Sequence, residues 1–186
     1  MRNLSSNLEA SIHIIHENQE WTRPLFQELS NLNLPFVDWD MSNSIIDISS
    51  NAPSGIFYNR MSASSHTRGN RFAPETTIGL LAWLESQNRK VINGRNALNL
   101  EISKLVQYAS LKFVGLNVPS TIAVSKKDDI IEAYNTLGFQ EAITKHNRAG
   151  KGLGVQLLRS KNAVLEHING KQYEESVDGI TLVQQY

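Results

Sequence analysis

The first half of the chain alternates short apolar runs with segments of helical periodicity. Runs of β-branched and aromatic residues predict strands over residues 11–16, 35–39, 55–58 and 90–93. Apolar positions that recur every three or four residues predict helices over 21–32 and 74–86. Strands that alternate with helices in this way are typical of a small parallel α/β domain, which we expect to span residues 1–97.

The second half has a different order of elements. The pattern predicts one helix over 99–115, with Asn99 as N-cap, Gly115 as its end and Lys104 opposite the apolar face. Strands are predicted over 121–124, 141–146, 155–159 and from 180 onward, with helices over 128–137 and 161–168. Residues 98–186 form the second predicted domain. Because its last strand has no following element, we expect the chain to be a piece of a longer protein.

Composition and charge exclude several classes of protein. The 186 residues include no cysteine, which excludes disulfides and thiolate metal sites. With no signal-peptide core and no apolar stretch near the ~20 residues of a membrane helix, we expect a cytoplasmic protein that binds no membrane. The 18 basic and 18 acidic residues balance, which argues against a nucleic-acid partner. Residues 51–161 nevertheless hold fifteen of the basic residues, which indicates either a phosphate-attracting surface or ordinary surface variation.

Residues 147–154 form a glycine-rich loop between two predicted strands. This length exceeds the two residues of a tight antiparallel turn, and glycines let main-chain N–H groups approach an anion closely. The loop therefore has the composition of a phosphate lid or of a flexible hairpin tip. Its spacing does not match a Walker A, Rossmann or kinase glycine loop. Its glycines and basic residues are Gly150, Gly152, Gly154, Arg148 and Lys151.

Two other groups of residues contain side chains that commonly bind ligands or metals. Arginines among hydroxyl side chains over residues 59–71 could pair with a carboxylate or phosphate, or belong to a solvated loop. The five histidines lack partners at the spacing of a metal site, so we predict no metal ligands among them.

Six sequence blocks occur in order along the chain. They are F-Y-N-R-M-S-A-S at 57–64, V-I-N-G at 91–94, S-K-L-V-Q-Y-A-S-L at 103–111, G-L-N-V-P-S-T at 115–121, T-K-H-N-R-A-G-K-G-L-G-V at 144–155 and D-G-I-T-L-V-Q-Q-Y at 178–186. In this order and spacing they resemble the RimK-type ligases, the α-L-glutamate ligase branch of the ATP-grasp superfamily. The resemblance implies a pre-ATP-grasp α/β domain followed by the first part of an α+β ATP-grasp domain.

The resemblance also implies roles for individual residues. Lys104 and Lys145 would contact the phosphates of ATP, with Lys145 beside the α-phosphate and adenine. The glycine loop, including Lys151, would cover the β- and γ-phosphates. Main-chain groups of the last strand would bind the adenine edge, and Arg60 and Arg68 would bind substrate. The residues of that strand are Gln184, Gln185 and Tyr186, where the family usually has Glu at the position of Gln185.

The implied activity is ATP-dependent ligation of a carboxylate to an amine through an acyl phosphate. The implied partners are ATP and an amino-acid, peptide or protein carboxylate, with an amino acid such as glutamate attached. The implied cofactors are ATP and Mg²⁺, whose ligands we expect beyond residue 186, so that this chain alone would lack ligase activity and its catalytic residues stay unassigned. The alternative is a non-catalytic nucleotide-binding or protein-interaction remnant. Whether the chain forms a homo-oligomer is left open.

Overall fold

The computed structural model describes residues 11–150, 152 and 154–186. The chain divides into two compact units, Met1–Asn99 and Leu100–Tyr186. Within the described residues, no helix has both the length and the apolar character needed to span a bilayer.

Unit 1 is built on a four-stranded parallel sheet. Its strands are β1 (Ser11–His16), β2 (Phe36–Asp40), β3 (Gly55–Asn59) and β4 (Lys90–Ile92), in the order β2-β1-β3-β4. Helix α1 (Gln19–Asn31) links β1 to β2, and a 3₁₀ helix (Ala63–Arg68) and α2 (Ala73–Ser86) link β3 to β4. Helix α3 (Arg95–Ile102) follows β4. The strand order reverses between β1 and β3, and such a sheet binds ligands beside the carboxyl ends of these strands.

A buried histidine lies at the centre of unit 1. The ring of His13 stacks on Phe57 with 4.3 Å between centroids. Its Nδ1 accepts a hydrogen bond from Trp39 Nε1 (3.1 Å), so Nε2 carries the proton that is donated to the carbonyl oxygen of Ser54 (2.9 Å). Burial lowers the pKa of His13, although the bond to Ser54 opposes that shift. The imidazole is therefore held in its neutral form.

Unit 2 contains a second, antiparallel sheet. Helix α4 (Lys104–Phe113) precedes β5 (Thr121–Val124), and a 3₁₀ turn (Lys127–Asp129) leads into α5 (Ile130–Leu137). Then come β6 (Ala142–His146), β7 (Gln156–Leu158), α6 (Lys161–Asn169) and β8 (Thr181–Gln185), and the strand order is β5-β8-β6-β7. The apolar core lies between the sheet and the helices α5 and α6; its buried members are Ile130, Ala133, Tyr134, Ala142, Leu158, Val164, Ile168 and Val183.

The helix predicted over residues 99–115 is wrong in its extent. The structure has two helices there, α3 and α4, and they separate at Ser103. Ser103 is the N-cap of α4, because its side chain accepts a hydrogen bond from the main-chain N–H of Val106 (3.3 Å). Asn99, which the sequence predicts as an N-cap, lies inside α3. The predicted fold class, a parallel α/β domain followed by an α+β arrangement, is confirmed.

Candidate functional site

Lys145 lies on the face of β6 that is opposite to the helix-packed core. Alternation along the strand places Ala142 and Thr144 toward α5 and α6, and Lys145 on the other side. Its Nζ donates hydrogen bonds to the hydroxyl of Tyr108 and to Oε1 of Gln184 (2.5 Å). The same ammonium lies 4.9 Å from the centroid of the Tyr108 ring. Gln184 in turn donates through Nε2 to Thr121 Oγ1 (2.8 Å).

Lys104, on helix α4, lies near enough to Lys145 for the two charges to interact. It is the first residue of that helix, and Tyr108 follows one turn later, so both side chains lie on one side of it. Its Nζ donates to the carbonyl oxygen of Asn147 (3.2 Å) and to that of Ala149, at the beginning of the glycine loop. The partners of both ammonium groups are thus neutral oxygens.

The charges of the two lysines influence each other and the phenol of Tyr108, which lies between them in the sequence. Burial lowers the pKa of Lys104 below its ordinary value, and the positive charge of Lys145 lowers it further. Asp178 opposes both effects. For Tyr108, burial alone would raise the pKa of the phenol, but the contacts with Lys145 and Gln184 and the two ammonium charges lower it overall. Two cations held together beside neutral partners fit the negative charges of a phosphate chain.

The three loop glycines occupy different environments. The positions that a Cβ would take at Gly150 and Gly152 have no neighbouring atom within 4 Å. At Gly154 the added atom would lie 2.3 Å from the His146 ring, on the side of β6 opposite to Lys145. The start of the loop therefore adjoins the lysines, while Gly154 packs on a different surface. Lys151, the basic residue predicted to act in this loop, lies outside the described residues.

The main chain predicted to bind adenine has protein partners in this structure. The N–H of Gln185 donates to the carbonyl oxygen of Ser120 (2.9 Å), and the N–H of Tyr186 donates to that of Glu141 (3.4 Å). The side chain of Gln184 belongs to the lysine cluster itself. A role of Gln185 and Tyr186 in adenine binding stays a prediction.

The predicted substrate arginines belong to unit 1. Arg68 donates from Nε to Glu17 Oε2 (3.2 Å) and from a terminal nitrogen to Oε1, and it lies over the ring of Trp21 at 4.8 Å. The Glu17 side chain is 1 % exposed and also accepts from Asn70 Nδ2 (3.2 Å). Arg60 is exposed, 5.9 Å above the ring of Tyr58. Arg68 thus already has a carboxylate partner, and substrate binding by either arginine stays a prediction.

A pocket of about 630 Å³ opens on the opposite side of β6 from Lys145. It brings together His146 and His167, which are far apart in the sequence. Burial lowers the pKa of His167, and the neighbouring His146 contributes to the shift. Over the part of the chain that the structure describes, no three histidine, aspartate or glutamate side chains are placed to hold a metal ion.

Sequence reasoning missed Tyr108 and Asn147. A tyrosine one turn after a candidate phosphate lysine is a local signal that could have indicated Tyr108. Asn147 immediately follows the Lys145–His146 pair, but its role depends on contacts with residues more than 30 positions away. No local pattern indicates those contacts.

Comparison with known proteins gives structural similarities only. No family model matches the chain, and no curated protein matches its sequence. A RimK-domain ATP-grasp protein from Sphaerobacter thermophilus superposes with a TM-score of 0.64 at 16 % identity, over 95 % of this chain and 64 % of that one. D-alanyl-alanine synthetase A from Vibrio cholerae gives 0.61 at 9 % identity, over 96 % and 60 %. The ATP-grasp ligase PsnB, complexed with a minimal precursor, Mg and ADP, gives 0.54 at 16 % identity, over 99 % and 66 %.

These similarities extend over nearly the whole of this chain and over less than two thirds of the first two structures. Two of the three are described as ATP-grasp proteins, and the first also carries the RimK name of the resembled branch. The chain therefore has the fold of the ATP-grasp ligases.

Proposed function

We propose that this chain binds ATP, and that it does so as the nucleotide-binding portion of an ATP-dependent carboxylate–amine ligase. The observation that supports the proposal is that the charges of Lys104 and Lys145 act on one another, while Lys145 binds Tyr108 and Lys104 binds the start of the glycine loop. These two lysines come from a helix and a strand that are 41 residues apart in the sequence. A chain that needed only a stable core would not gain from bringing two ammonium groups together in a partly buried place.

The residues of this chain bind and neutralise the phosphates in the proposed reaction. Phosphoryl transfer depends mostly on positioning and on compensation of negative charge. Lys104 and Lys145 would exchange their neutral partners for phosphate oxygens, and the open positions at Gly150 and Gly152 would let main-chain N–H groups approach the same chain of phosphates. When bound, ATP supplies the phosphoryl group that activates a carboxylate for attack by an amine.

The finer parts of the proposal follow from the resemblance to RimK-type ligases. We assign residues 1–97 to a pre-ATP-grasp domain and residues 98–186 to the first part of the ATP-grasp domain. We propose Mg²⁺ as the accompanying ion, an amino acid such as glutamate as a substrate, Arg60 and Arg68 as substrate-binding residues, and the cytoplasm as the location. PsnB, solved with Mg and ADP, supports the choice of the ion.

The test is calorimetric titration of the chain with ATP and with adenosine, in the presence of Mg²⁺. We expect Lys145→Ala to weaken ATP binding about tenfold or more, which corresponds to the loss of one hydrogen bond to a charged group. The matched control is Lys161→Ala, an exposed lysine at the start of α6. It should bind ATP as the unchanged chain does. Equal ATP affinities of the two variants, or no ATP binding by the unchanged chain, would refute the proposed site.

Ligase activity requires a separate assay on the natural full-length protein. ADP and phosphate should be released only when a carboxylate and an amine substrate are both present. ATP binding without release under any such pair would instead favour the non-catalytic nucleotide-binding alternative.

A further inference from the structure

Asn147 joins three segments of unit 2 at the point where β6 ends and the glycine loop begins. It is 2 % exposed. Its main-chain N–H donates to the carbonyl oxygen of Ile180 (3.0 Å), and its own carbonyl oxygen accepts from both the main-chain N–H (3.3 Å) and Nζ (3.2 Å) of Lys104. Both main-chain polar groups of Asn147 are therefore hydrogen-bonded, and two of these three bonds come from Lys104.

The side chain of Asn147 determines where helix α4 begins. Its Oδ1 accepts a hydrogen bond from the main-chain N–H of Leu105 (2.8 Å), and its Nδ2 donates to Ser103 Oγ (3.1 Å). Ser103 caps the next free N–H of the helix. The residue that follows β6 thus completes the cap that the first turn of α4 requires. Because Lys104 is the first residue of that turn, its Cα position depends on Asn147.

The same amide group holds a carboxylate near Lys104. Nδ2 of Asn147 also donates to Oδ2 of Asp178 (2.6 Å), whose other oxygen accepts from Ser176 Oγ and from the main-chain N–H of Ile180. The charge of Asp178 partly offsets the burial and the repulsion that Lys104 experiences. Asn147 therefore connects the phosphate lysine of the helix both to the loop and to its balancing charge.

We propose that Asn147 is a positioning residue, which holds the Lys104 ammonium beside Lys145 and the glycine loop so that both can act on one phosphate chain. This inference rests on the proposed ATP site and adds a residue that does not itself contact the nucleotide. In this arrangement the effect of Asn147 on a bound ligand is transmitted through Lys104. Loss of its side chain should therefore affect the phosphates of a ligand and not its nucleoside part.

The test exchanges the donor and acceptor of the Asn147–Asp178 hydrogen bond. Asn147→Asp places two carboxylates opposite one another and should weaken ATP binding about tenfold or more, with the affinity for adenosine unchanged. The double variant N147D/D178N keeps the net charge of the unchanged chain and restores a hydrogen bond with its direction reversed. It should recover ATP affinity to within about threefold. The milder Asn147→Ser keeps a hydroxyl acceptor for the cap and provides a variant if Asn147→Asp does not fold.

The possible outcomes separate this inference from the proposed function. If the unchanged chain binds no ATP, the proposed function fails, and NMR titration of the Lys104 ammonium then tests the positioning directly. The pKa of Lys104 should rise in N147D, where a carboxylate is added, and return toward the starting value in the double variant. If N147D binds ATP and adenosine in the same ratio as the unchanged chain, or if the folded double variant recovers nothing, Asn147 does not position Lys104.

Discussion

Alanine substitutions in the glycine loop should change the stability of unit 2 by amounts that depend on the surroundings of each glycine. Gly154 has φ = +69°, in the left-handed region, and an added Cβ would lie 2.3–2.5 Å from three atoms of the His146 ring. Gly152 has φ = +77° with open space around it, and Gly150 has open space without a left-handed φ. Alanine substitutions at these three positions therefore measure the cost of backbone strain and the cost of steric overlap separately.

The magnitudes follow from these environments. Alanine in the left-handed region costs roughly 1–2 kcal/mol, which is the full cost expected for Gly152→Ala. Gly154→Ala adds the displacement of the His146 ring, because carbon atoms normally approach to only about 3.5–4.0 Å. Moving that ring strains its hydrogen bond to the carbonyl oxygen of Glu174 (2.9 Å), worth about 1 kcal/mol. We expect a total of about 3 kcal/mol for Gly154→Ala, and a change near zero or slightly stabilising for Gly150→Ala.

The assay is urea unfolding followed by two signals. All three tryptophans, Trp21, Trp39 and Trp83, belong to unit 1, so their fluorescence reports the unfolding of that unit. Far-UV circular dichroism follows both units and should show the loss of stability. In a His146→Ala background the cost of Gly154→Ala should fall to the strain alone, about 1–2 kcal/mol. Equal costs for Gly152→Ala and Gly154→Ala, or no change in the His146→Ala background, would refute the proposed overlap.

Two further predictions concern unit 1. Its stability should be highest above pH 6.5 and fall as the pH drops below that value, because His13 binds a proton in the unfolded chain but stays neutral in the folded one. The amide of His13→Gln can keep both hydrogen bonds, so this variant should show a weaker pH dependence in tryptophan-monitored unfolding. The same pH dependence in the variant and the unchanged chain would contradict the prediction. Glu17→Gln should cost roughly 2–4 kcal/mol, since it leaves the guanidinium of Arg68 without its carboxylate. Glu85→Gln, at the more exposed pair with Arg95, should cost less than about 1 kcal/mol in the same assay, and equal costs would show that burial is not decisive.

The sequence predicts unit 1 well because its signals are local. Strand β1 is a β-branched run that pairs with β2 on one side and β3 on the other. Its apolar composition therefore matches its buried position in the sheet. The alternation of strands and helices then leaves few topologies for a parallel sheet. In the candidate site, alternation along β6 places Lys145 on the same strand face as Ile143, away from Ala142 and Thr144. A partly buried ammonium on that face requires a partner.

The break between α3 and α4 could not be predicted in this way. Apolar periodicity continues through residue 102, and nothing local marks Ser103 as the start of a new helix more strongly than Asn99. The decisive cap comes from Asn147, 42 positions from the N–H of Leu105 that it binds. Contacts over such separations are set by the assembled sheet, and single-sequence periodicity contains no information on them.

The burial pattern of α4 agrees with the function that we propose for its polar side. The least exposed residues of this helix are Lys104, Tyr108 and Leu111, which follow one stripe along it. Apolar residues of the sequence-predicted core face are exposed instead, including Phe113 at 90 %. A helix selected for packing alone would bury its apolar stripe, since apolar burial is the main favourable term in folding. Sequences depart from this rule chiefly at functional sites. In α4 the less exposed polar residues are Lys104, which contacts the glycine loop, and Tyr108, which contacts Lys145.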